Sequence, residues 1–231
     1  MTVRRLLFRL CVLLALAFVC LQGYLLASVI WLGQHQLPHT AFMHEQLAQL
    51  HQRQPLARLD FHWRNYAQIN PSIKHAVIAA EDSTFMNNDG FDWQGIKTAM
   101  ARNLKAGEFV AGGSTLTQQL AKNLFLSGHR TLVRKGEEAL ITLMLDTCLS
   151  KRRILELYLN YAQWGVRVFG IEAAAQHYYG IHASELSDWQ SARLAAMLPN
   201  PEYYDRVGNT DWLLEKSGII LARMPLVAIP R

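Results

Sequence analysis

The sequence lacks the cysteines that a disulfide-stabilised exported domain would need. Only three of its 231 residues are cysteine, and two of them, Cys11 and Cys20, lie in an apolar stretch near the N-terminus. Cys148 stands alone in the rest of the chain. No intrachain disulfide framework is therefore available. With 51% hydrophobic residues, a chain of this length can instead bury one sizeable core.

The chain also has little excess charge beyond its first ten residues. The net charge is +5, and Arg4, Arg5 and Arg9 supply three of these charges before any acidic residue appears. The basic character is therefore mostly an effect of the N-terminus. It does not indicate a nucleic-acid partner.

Charge is absent from residues 10–33, a mostly apolar run of 24 residues. A helix of this length crosses a bilayer core of about 30 Å, so the run is predicted to be a transmembrane helix. A cleaved signal peptide is the alternative, although the apolar region of such peptides spans only about 7–15 residues. The arginines in residues 1–9 predict a cytoplasmic N-terminus and export of everything after the helix.

The stretch that follows, residues 34–64, is predicted to be a polar juxtamembrane connector. Three histidines in it have a spacing that suggests a metal site: His35, His39 and His44. Pro38 interrupts helical presentation of these side chains, and no acid or thiol is expected to converge with them. A stalk between membrane and domain is therefore the favoured interpretation.

Long alternating strand patterns are absent as well. From about residue 71 onward apolar residues recur at helical steps, and residues 134–160 predict two packed helices with a break near Ser150. Ser187 and Gln190 form a capping-box pattern at the start of a helix that Pro199 ends. The predicted fold class is mainly α.

The stretch AVIAAEDSTF, residues 76–85, places Glu81 and Asp82 at the end of an apolar run. A carboxylate at the rim of a core is partly desolvated, which raises its pKa and makes it a better proton acceptor or donor near neutral pH. The alternative is that both acids cap the next segment or form ion pairs.

A second stretch, GGSTLTQQLAKNLF, covers residues 112–125 and predicts a loop that enters an amphipathic helix with Ser114 as N-cap. Gln118 and Lys122 lie on or near its polar side. Hydroxyls at a helix N-terminus, followed by amides and a lysine, suit an anionic, hydroxyl-rich ligand such as a sugar phosphate. An ordinary solvated face is the alternative.

The third stretch, RKGEEA at residues 134–139, puts Arg134 and Glu138 four residues apart. They could form a surface ion pair worth about 0.3–0.5 kcal/mol. Alternatively, Glu138 is a second functional carboxylate beside several cations. A reaction that expels pyrophosphate needs such a group, because charge develops on the leaving oxygen.

Five stretches, in this order, resemble the successive motifs of glycosyltransferase family 51, the peptidoglycan polymerases: EDSTFMNNDG, GGSTLTQQLAKN, RKGEEALITLMLD, SKRRILELYLN and GIEAAAQHYYG. The resemblance covers residues 65–205 as a transglycosylase domain and leaves residues 206–231 as a tail without a functional interpretation. It implies a lysozyme-like helical lobe with a smaller membrane-associated subdomain, preceded by one transmembrane helix. The catalytic domain would face the periplasm from the bacterial inner membrane.

The resemblance also implies a role for each matching residue. Glu81 would be the general base that deprotonates the 4-hydroxyl of the acceptor lipid II, and Asp82 would support it. Glu138 would assist departure of the pyrophosphate, directly or through a divalent cation such as Mg²⁺ or Mn²⁺; no organic cofactor is implied. The glycan and pyrophosphate path would be lined by Ser114, Gln118, Lys122, Arg130, Arg134 and Lys135.

The implied partners are lipid II, the growing glycan strand, the membrane and other cell-wall synthases or division proteins. Residues 104–113 would form a mobile connection in which Phe109 and Val110 meet lipid. The chain departs from the family pattern at three positions: Asn88 replaces a common His, Glu137 replaces a frequent basic residue, and Asp146 replaces a Glu.

Two other functions fit part of this pattern. A lysozyme-like peptidoglycan hydrolase would also use carboxylates in a helical lobe, but it needs no cluster of cations for a pyrophosphate. A non-catalytic scaffold for cell-wall synthesis would tolerate loss of either glutamate.

Overall fold

A computed structural model of the chain describes residues 3–107, 113–126 and 131–231. Eleven α-helices make up most of these described residues, which confirms the mainly α fold class. In chain order they are α1 Val3–Leu32, α2 Ala41–His51, α3 Pro71–Glu81, α4 Trp93–Ala106, α5 Leu116–Phe125, α6 Leu132–Cys148, α7 Lys151–Tyr161, α8 Ile171–Tyr179, α9 Asp188–Met197, α10 Pro201–Val207 and α11 Asp211–Arg223. Short 3₁₀ turns lie at Tyr66–Gln68 and Met224–Leu226.

Helix α1 is the one described helix that is long and apolar enough to cross a membrane. It has 30 residues, and its mean hydropathy is 2.4 over the most apolar window. Most of its side chains are exposed, whereas Val29 and Leu32 near its C-terminal end are buried. The helix therefore packs against the rest of the chain only through its last turns.

Arg153 on α7 joins the end of α1 to the remaining fold. The last carbonyl groups of a helix have no partner within the helix. The Arg153 guanidinium donates to the backbone oxygen of Leu32 (2.9 Å) and to that of His35. It also pairs with Glu156, whose other oxygen accepts the backbone N–H of Tyr66 at 2.6 Å. One arginine thus links the apolar helix to the core.

Residues 34–64 contain regular structure that packs on the core. The side chain of Thr40 caps α2, whose Met43 is buried, and α2 lies against α5. Strand β1 (Asp60–Phe61) pairs in parallel with β2 (Val168–Phe169). The predicted connector therefore contributes a helix and a strand to the fold.

The core is built around α7, which is buried on nearly every side. Its N-cap is Ser150, so the predicted break between two helices at this position is confirmed. The capping box of Ser187 and Gln190 is also present at the start of α9. Helix α5 packs between α6 and α7, and α3 packs on α9.

The C-terminal segment belongs to the same core. Helix α11 lies against α9 and α3, and its Leu213 and Ile220 are buried. Further on, the backbone oxygen of Pro230 accepts a hydrogen bond from the Tyr66 hydroxyl at 2.6 Å. Residues 206–231 therefore support α3 and the residues at its end.

We expect Arg153→Ala to destabilise the protein by on the order of 3 kcal/mol, because it removes the guanidinium that pairs with the largely buried Glu156 carboxylate and that donates to the backbone oxygens of Leu32 and His35. For a chain of this size this lowers the thermal midpoint in detergent by roughly 6–12 °C. Arg206→Ala is the matched control: it removes a more exposed Arg–Glu pair, with Glu202, worth no more than about 1 kcal/mol. Equal losses in both variants would contradict a structural role for Arg153.

Candidate active site

Glu81 is the last residue of α3. Asn70 caps this helix, Pro71 occupies its first position, and its apolar face is buried. The helix stops because Asp82 adopts an extended φ of −158°. Glu81 therefore stands at the rim of the core with a half-buried side chain, as the sequence predicts.

The Glu81 carboxylate is held by Gln119 of α5. The Gln119 amide nitrogen donates to Oε2 of Glu81 at 2.7 Å, and the Gln119 amide oxygen accepts from the hydroxyl of the buried Tyr158 at 2.9 Å. Because a tyrosine hydroxyl in this position donates its proton, it fixes which end of the amide faces Glu81. Neither Gln119 nor Tyr158 is among the predicted site residues.

The surroundings of Glu81 raise its pKa above the ordinary value of 4.5. Burial is the main cause, since it disfavours the charged form, and the adjacent Asp82 adds to it. The hydrogen bond from Gln119 and the charges of Lys216 and Lys122 act in the opposite direction. Lys122 is thus close to Glu81, as expected for a shared site, and Lys216 reaches it from α11.

Asp82 connects the end of α3 to the start of α5. Its side chain is only 6% exposed. One oxygen accepts from the Thr84 hydroxyl (3.1 Å) and the Asn88 amide (2.9 Å), while the other accepts the backbone N–H of Leu116 at 3.0 Å. Because Leu116 opens α5, this contact holds Gln119 beside Glu81.

The N-cap of α5 is Thr115, so the prediction that Ser114 caps this helix is wrong. The Thr115 hydroxyl accepts the backbone N–H of Gln118 at 3.2 Å, and the Gln118 side chain accepts the backbone N–H of Thr115 at 3.0 Å. This reciprocal capping box satisfies both donors only if the helix begins at Leu116. Ser114 precedes the cap and is exposed, whereas Gln118 is buried within it.

Glu138 lies on α6 and is only 4% exposed. Arg134 Nη1 donates to one of its oxygens at 3.2 Å, and Lys135 pairs with the other. The Arg134 side chain is largely buried, whereas half of the Lys135 side chain is exposed. These three side chains form a buried carboxylate with two cations, and the alternative of an exposed surface pair is excluded.

Gly90 lies in the loop between α3 and α4, where the chain contacts both α5 and α6. Its φ of +82° favours glycine, and a Cβ here would lie 3.0 Å from the Thr142 side chain of α6. Thr142 in turn donates to the backbone oxygen of Glu138 at 2.7 Å. The Gly90 carbonyl accepts from the Thr115 hydroxyl at 2.6 Å. The loop between α3 and α4 therefore contacts both α5 and α6.

Asn88 and Asp146, two of the three residues that depart from the family pattern, both contact Lys151. The ammonium group of Lys151 donates to the backbone oxygen of Asn88 (2.6 Å) and to Oδ1 of Asp146 (2.7 Å). Asn88 thereby keeps the loop and Asp82 in place. Glu137, the third departure, is half-buried and lines a cavity together with Arg134.

Three predicted residues lie outside the described part of the chain. They are Arg130, which the resemblance assigns to the pyrophosphate path, and Phe109 and Val110, for which it implies contact with lipid. The substrate contacts predicted for Asp82, Ser114, Gln118, Lys122, Arg134 and Lys135 stay predictions.

The protein atoms around Glu138 do not fit a resident divalent cation. Both carboxylate oxygens are already paired with Arg134 and Lys135, and Mg²⁺ or Mn²⁺ needs several oxygen ligands. Within the residues that the structure describes, no three His, Cys, Asp or Glu side chains are arranged so that they could hold a metal ion. No step of the mechanism is therefore assigned to a metal.

We expect Asp82→Ala to lower the free energy of unfolding by about 1–3 kcal/mol, because it leaves the Leu116 N–H and the Asn88 amide without their acceptor. Thermal unfolding of the full chain in detergent measures the loss. Ser83→Ala changes the exposed neighbour and should stay within about 0.5 kcal/mol of wild type. An Asp82→Ala protein as stable as the Ser83→Ala protein would contradict this role for Asp82.

Comparison with known proteins agrees with this geometry. The sequence model of the Transglycosylase family matches residues 46–225, which include part of the predicted connector and of the predicted tail. The chain is 52% identical to a biosynthetic peptidoglycan transglycosylase of Laribacter hongkongensis, over 94% of this chain and 95% of the relative. A protein of the same name from Chromobacterium violaceum is 50% identical over 98% and 99% of the two chains. A third, from Alcanivorax borkumensis, is 50% identical over 100% and 91%. The eleven described helices, the paired carboxylates and these matches together show that the chain belongs to the transglycosylase family.

Proposed function

We propose that this chain is a peptidoglycan glycosyltransferase that polymerises lipid II into glycan strands and releases polyprenyl pyrophosphate. The relatives named above carry the corresponding name. The observation that carries the proposal is the pair of carboxylates in opposite surroundings. Glu81 is desolvated with its pKa raised, whereas Glu138 is paired with two cations. Different surroundings suit such groups to different chemical roles.

Glu81 acts as the general base. The 4-hydroxyl of the acceptor sugar gives its proton to a Glu81 oxygen while the hydroxyl oxygen attacks the anomeric carbon of the donor. Gln119 holds Oε2, so proton transfer is assigned to Oε1. Its raised pKa makes the Glu81 carboxylate a stronger base than an ordinary glutamate.

Arg134 and Lys135 stabilise the pyrophosphate as the bond to the anomeric carbon breaks. Glu138 holds both cations at fixed positions, so they need no rearrangement when negative charge develops on the leaving oxygen. Arg130 is assigned to the same path from its place in the sequence. Ser114, Gln118 and Lys122 are assigned to the glycan, and attack opposite the leaving group inverts the anomeric centre.

The membrane helix α1 keeps the enzyme on the surface that holds its lipid substrate. The arginines at its N-terminal end support a cytoplasmic N-terminus and a periplasmic catalytic domain. Helix α4 exposes Trp93, Met100 and Leu104, which suits the membrane-associated subdomain. Anchoring raises the effective concentration of enzyme and substrate without any further contact.

The hydrolase and scaffold alternatives explain less of the site. A hydrolase transfers the sugar to water and expels another sugar, so it has no use for Arg134 and Lys135 beside Glu138. A scaffold gains nothing from a desolvated Glu81, because burial of an ionisable group costs stability. Partner synthases or division proteins would bind elsewhere on the domain.

We expect Glu81→Gln to lower the rate of lipid II polymerisation by about 10²–10⁴-fold, the usual contribution of a general base. Glu138→Gln should also abolish strand formation, because it releases Arg134 and Lys135. Gel analysis of strands made by the full chain in detergent provides the measurement. Glu215→Gln, on an exposed part of α11, is the control and should leave the rate unchanged.

Thermal unfolding of the Glu81→Gln protein shows whether a loss of activity comes from the missing base or from misfolding. A carboxyl whose pKa is raised by folding binds more protons in the native state, so its ionisation costs stability as the pH rises from about 4.5 through the native pKa. At neutral pH the Glu81→Gln protein should therefore unfold at the same or a higher temperature than wild type. A Glu81→Gln protein that keeps wild-type activity would overturn the proposed mechanism.

The pH profile tests the link from Tyr158 through Gln119 to Glu81. Because the hydrogen bond from Gln119 lowers the pKa of Glu81, Gln119→Leu should move the acidic limb of kcat/KM to higher pH. Tyr158→Phe, which frees the Gln119 amide to turn, should move it in the same direction by a smaller amount. An acidic limb that stays in place in both variants would show that Glu81 does not control this limb.

A further inference from the structure

Two aromatic side chains are exposed where helices α10 and α11 meet. Trp212, in the first turn of α11, is 50% exposed, and Tyr203 of α10 is 47% exposed. The ring of Tyr204 stacks on that of Trp212 with the centroids 5.8 Å apart, and it meets Tyr203 edge to face at 5.1 Å. Because Tyr204 itself is nearly buried, it supports both exposed rings. Tyr203, Tyr204 and Trp212 together form an aromatic surface.

Helix α11 leads from Glu81 to this aromatic surface. The His75 ring, in the middle of α3, lies 3.0 Å from the backbone oxygen of Val227, just after α11. Lys216, earlier in α11, is close enough to the end of α3 for its charge to act on the pKa of Glu81, which it lowers. The two helices therefore run antiparallel. Trp212 lies on the same face of α11 as Lys216 and one turn, about 6 Å, further on, so it stands beyond the end of α3.

Helix α7 leads from the catalytic base to the same place. Tyr158 of α7 bonds Gln119, which holds Glu81. Five residues further along the chain, the Gln163 amide donates to Oε1 of Glu202 at 3.2 Å, and Glu202 lies in the first turn of α10. Helix α10 is thus joined to the ends of both α7 and α11 at one side of the active site.

The aromatic surface lies at the opposite end of α7 from the membrane helix. Arg153, at the start of α7, bonds the end of α1, whereas Gln163 follows the C-terminal end of α7. The ten residues between them span about 15 Å of helix. Asp211 and Glu202 each adjoin an exposed aromatic residue in the chain and would be repelled by an anionic membrane surface. An uncharged polar ligand suits this surface better than a bilayer does.

Exposed aromatic rings beside hydrogen-bonding groups are suited to sugars. The faces of a sugar ring carry C–H groups that pack on an aromatic face, while the hydroxyls at its edge need donors and acceptors. The Glu202 carboxylate and the Gln163 amide supply such groups next to Tyr203. A glycan strand that extends from Glu81 along α11 therefore meets an apolar face and a polar rim together.

We propose that Trp212 and Tyr203 bind sugar rings of the glycan strand that lie outside the reacting pair. This inference rests on the proposed function, since it takes the ligand to be the glycan that the enzyme builds. The contact holds the strand on the enzyme between successive additions of lipid II. Its loss therefore shortens the strands and leaves the first coupling unaffected.

Binding is measured with chitotetraose, an uncharged tetramer of β-1,4-linked N-acetylglucosamine that has neither lipid nor pyrophosphate. Full-length protein carrying Glu81→Gln in detergent is titrated, and the affinity is followed by ligand-observed NMR. Trp212→Ala should weaken binding about tenfold, near the most that one stacked aromatic side chain contributes. Trp189→Ala is the matched control, because Trp189 is 43% exposed but lies on α9, and it should leave the affinity unchanged.

Two further variants guard against local damage around Tyr204. Trp212→Phe keeps an aromatic face on the Tyr204 ring and should retain most of the affinity. Tyr203→Ala removes the second exposed ring without touching α11 and should weaken binding in the same direction as Trp212→Ala.

Strand length tests the role of this contact in the reaction. With Glu81 intact, Trp212→Ala should make shorter strands from lipid II than wild type or Trp189→Ala, while all three proteins join the first two lipid II molecules at the same rate. Short strands with an unchanged first step would show that the reacting groups are intact.

Two results would overturn the inference. One is a wild-type affinity for chitotetraose in both Trp212→Ala and Tyr203→Ala, and the other is wild-type strand length in Trp212→Ala. If chitotetraose binding depends on Trp212 but the wild-type protein makes no strands from lipid II, the sugar-binding surface stands and the proposed polymerase function fails.

Discussion

The hydrogen bond from the Leu116 N–H to the buried Asp82 carboxylate is the contact on which the active site depends. It joins the last turn of α3, which carries Glu81, to the N-terminal end of α5, the helix that carries Gln119 and Lys122. The same carboxylate holds Asn88, whose backbone oxygen accepts from Lys151. Buried polar groups need hydrogen-bond partners. Asp82 has all of its partners only when the end of α3, the start of α5 and the loop with Asn88 lie in these positions. Its hydrogen bonds therefore fix the arrangement of these three segments.

Around this junction the protein treats its two glutamates in opposite ways. Glu81 is desolvated, which disfavours its charged form and raises its pKa, and the hydrogen bond from the neutral Gln119 amide offsets only part of this effect. Glu138 is buried more completely but is given Arg134 and Lys135, which compensate its charge. A buried charge is tolerated when oppositely charged groups compensate it, and the ion pairs in turn hold those groups in place. The difference between the two sites lies in what each carboxylate faces.

The C-terminal end of helix α1 is fixed to the rest of the domain by hydrogen bonds. Arg153 bonds to the carbonyl groups at its C-terminal end, and the Tyr161 hydroxyl bonds to both the N–H and the carbonyl of Leu37 just beyond. These contacts hold α1 against the domain, so the surface between α1 and α5 is a defined part of the molecule. Residues of α1, α2 and α5 line an apolar groove on this surface.

The sequence by itself determined the features that depend on neighbouring residues. These are the apolar helix, the mainly α class, the break at Ser150, the capping box at Ser187 and the position of Glu81 at the end of an apolar run, because periodicity and capping act within a few residues. Tertiary structure alone decided which distant groups surround Glu81: Gln119, Tyr158 and Lys216 come from three other helices.

Tertiary structure also decided that Thr115 rather than Ser114 caps α5. Both hydroxyls suit an N-cap, and the contact of Thr115 with Gly90, 25 residues away, favours Thr115. The packing of α2 and of the C-terminal segment on the core was likewise settled by contacts between residues far apart in the chain, for which a single sequence carries no local signal.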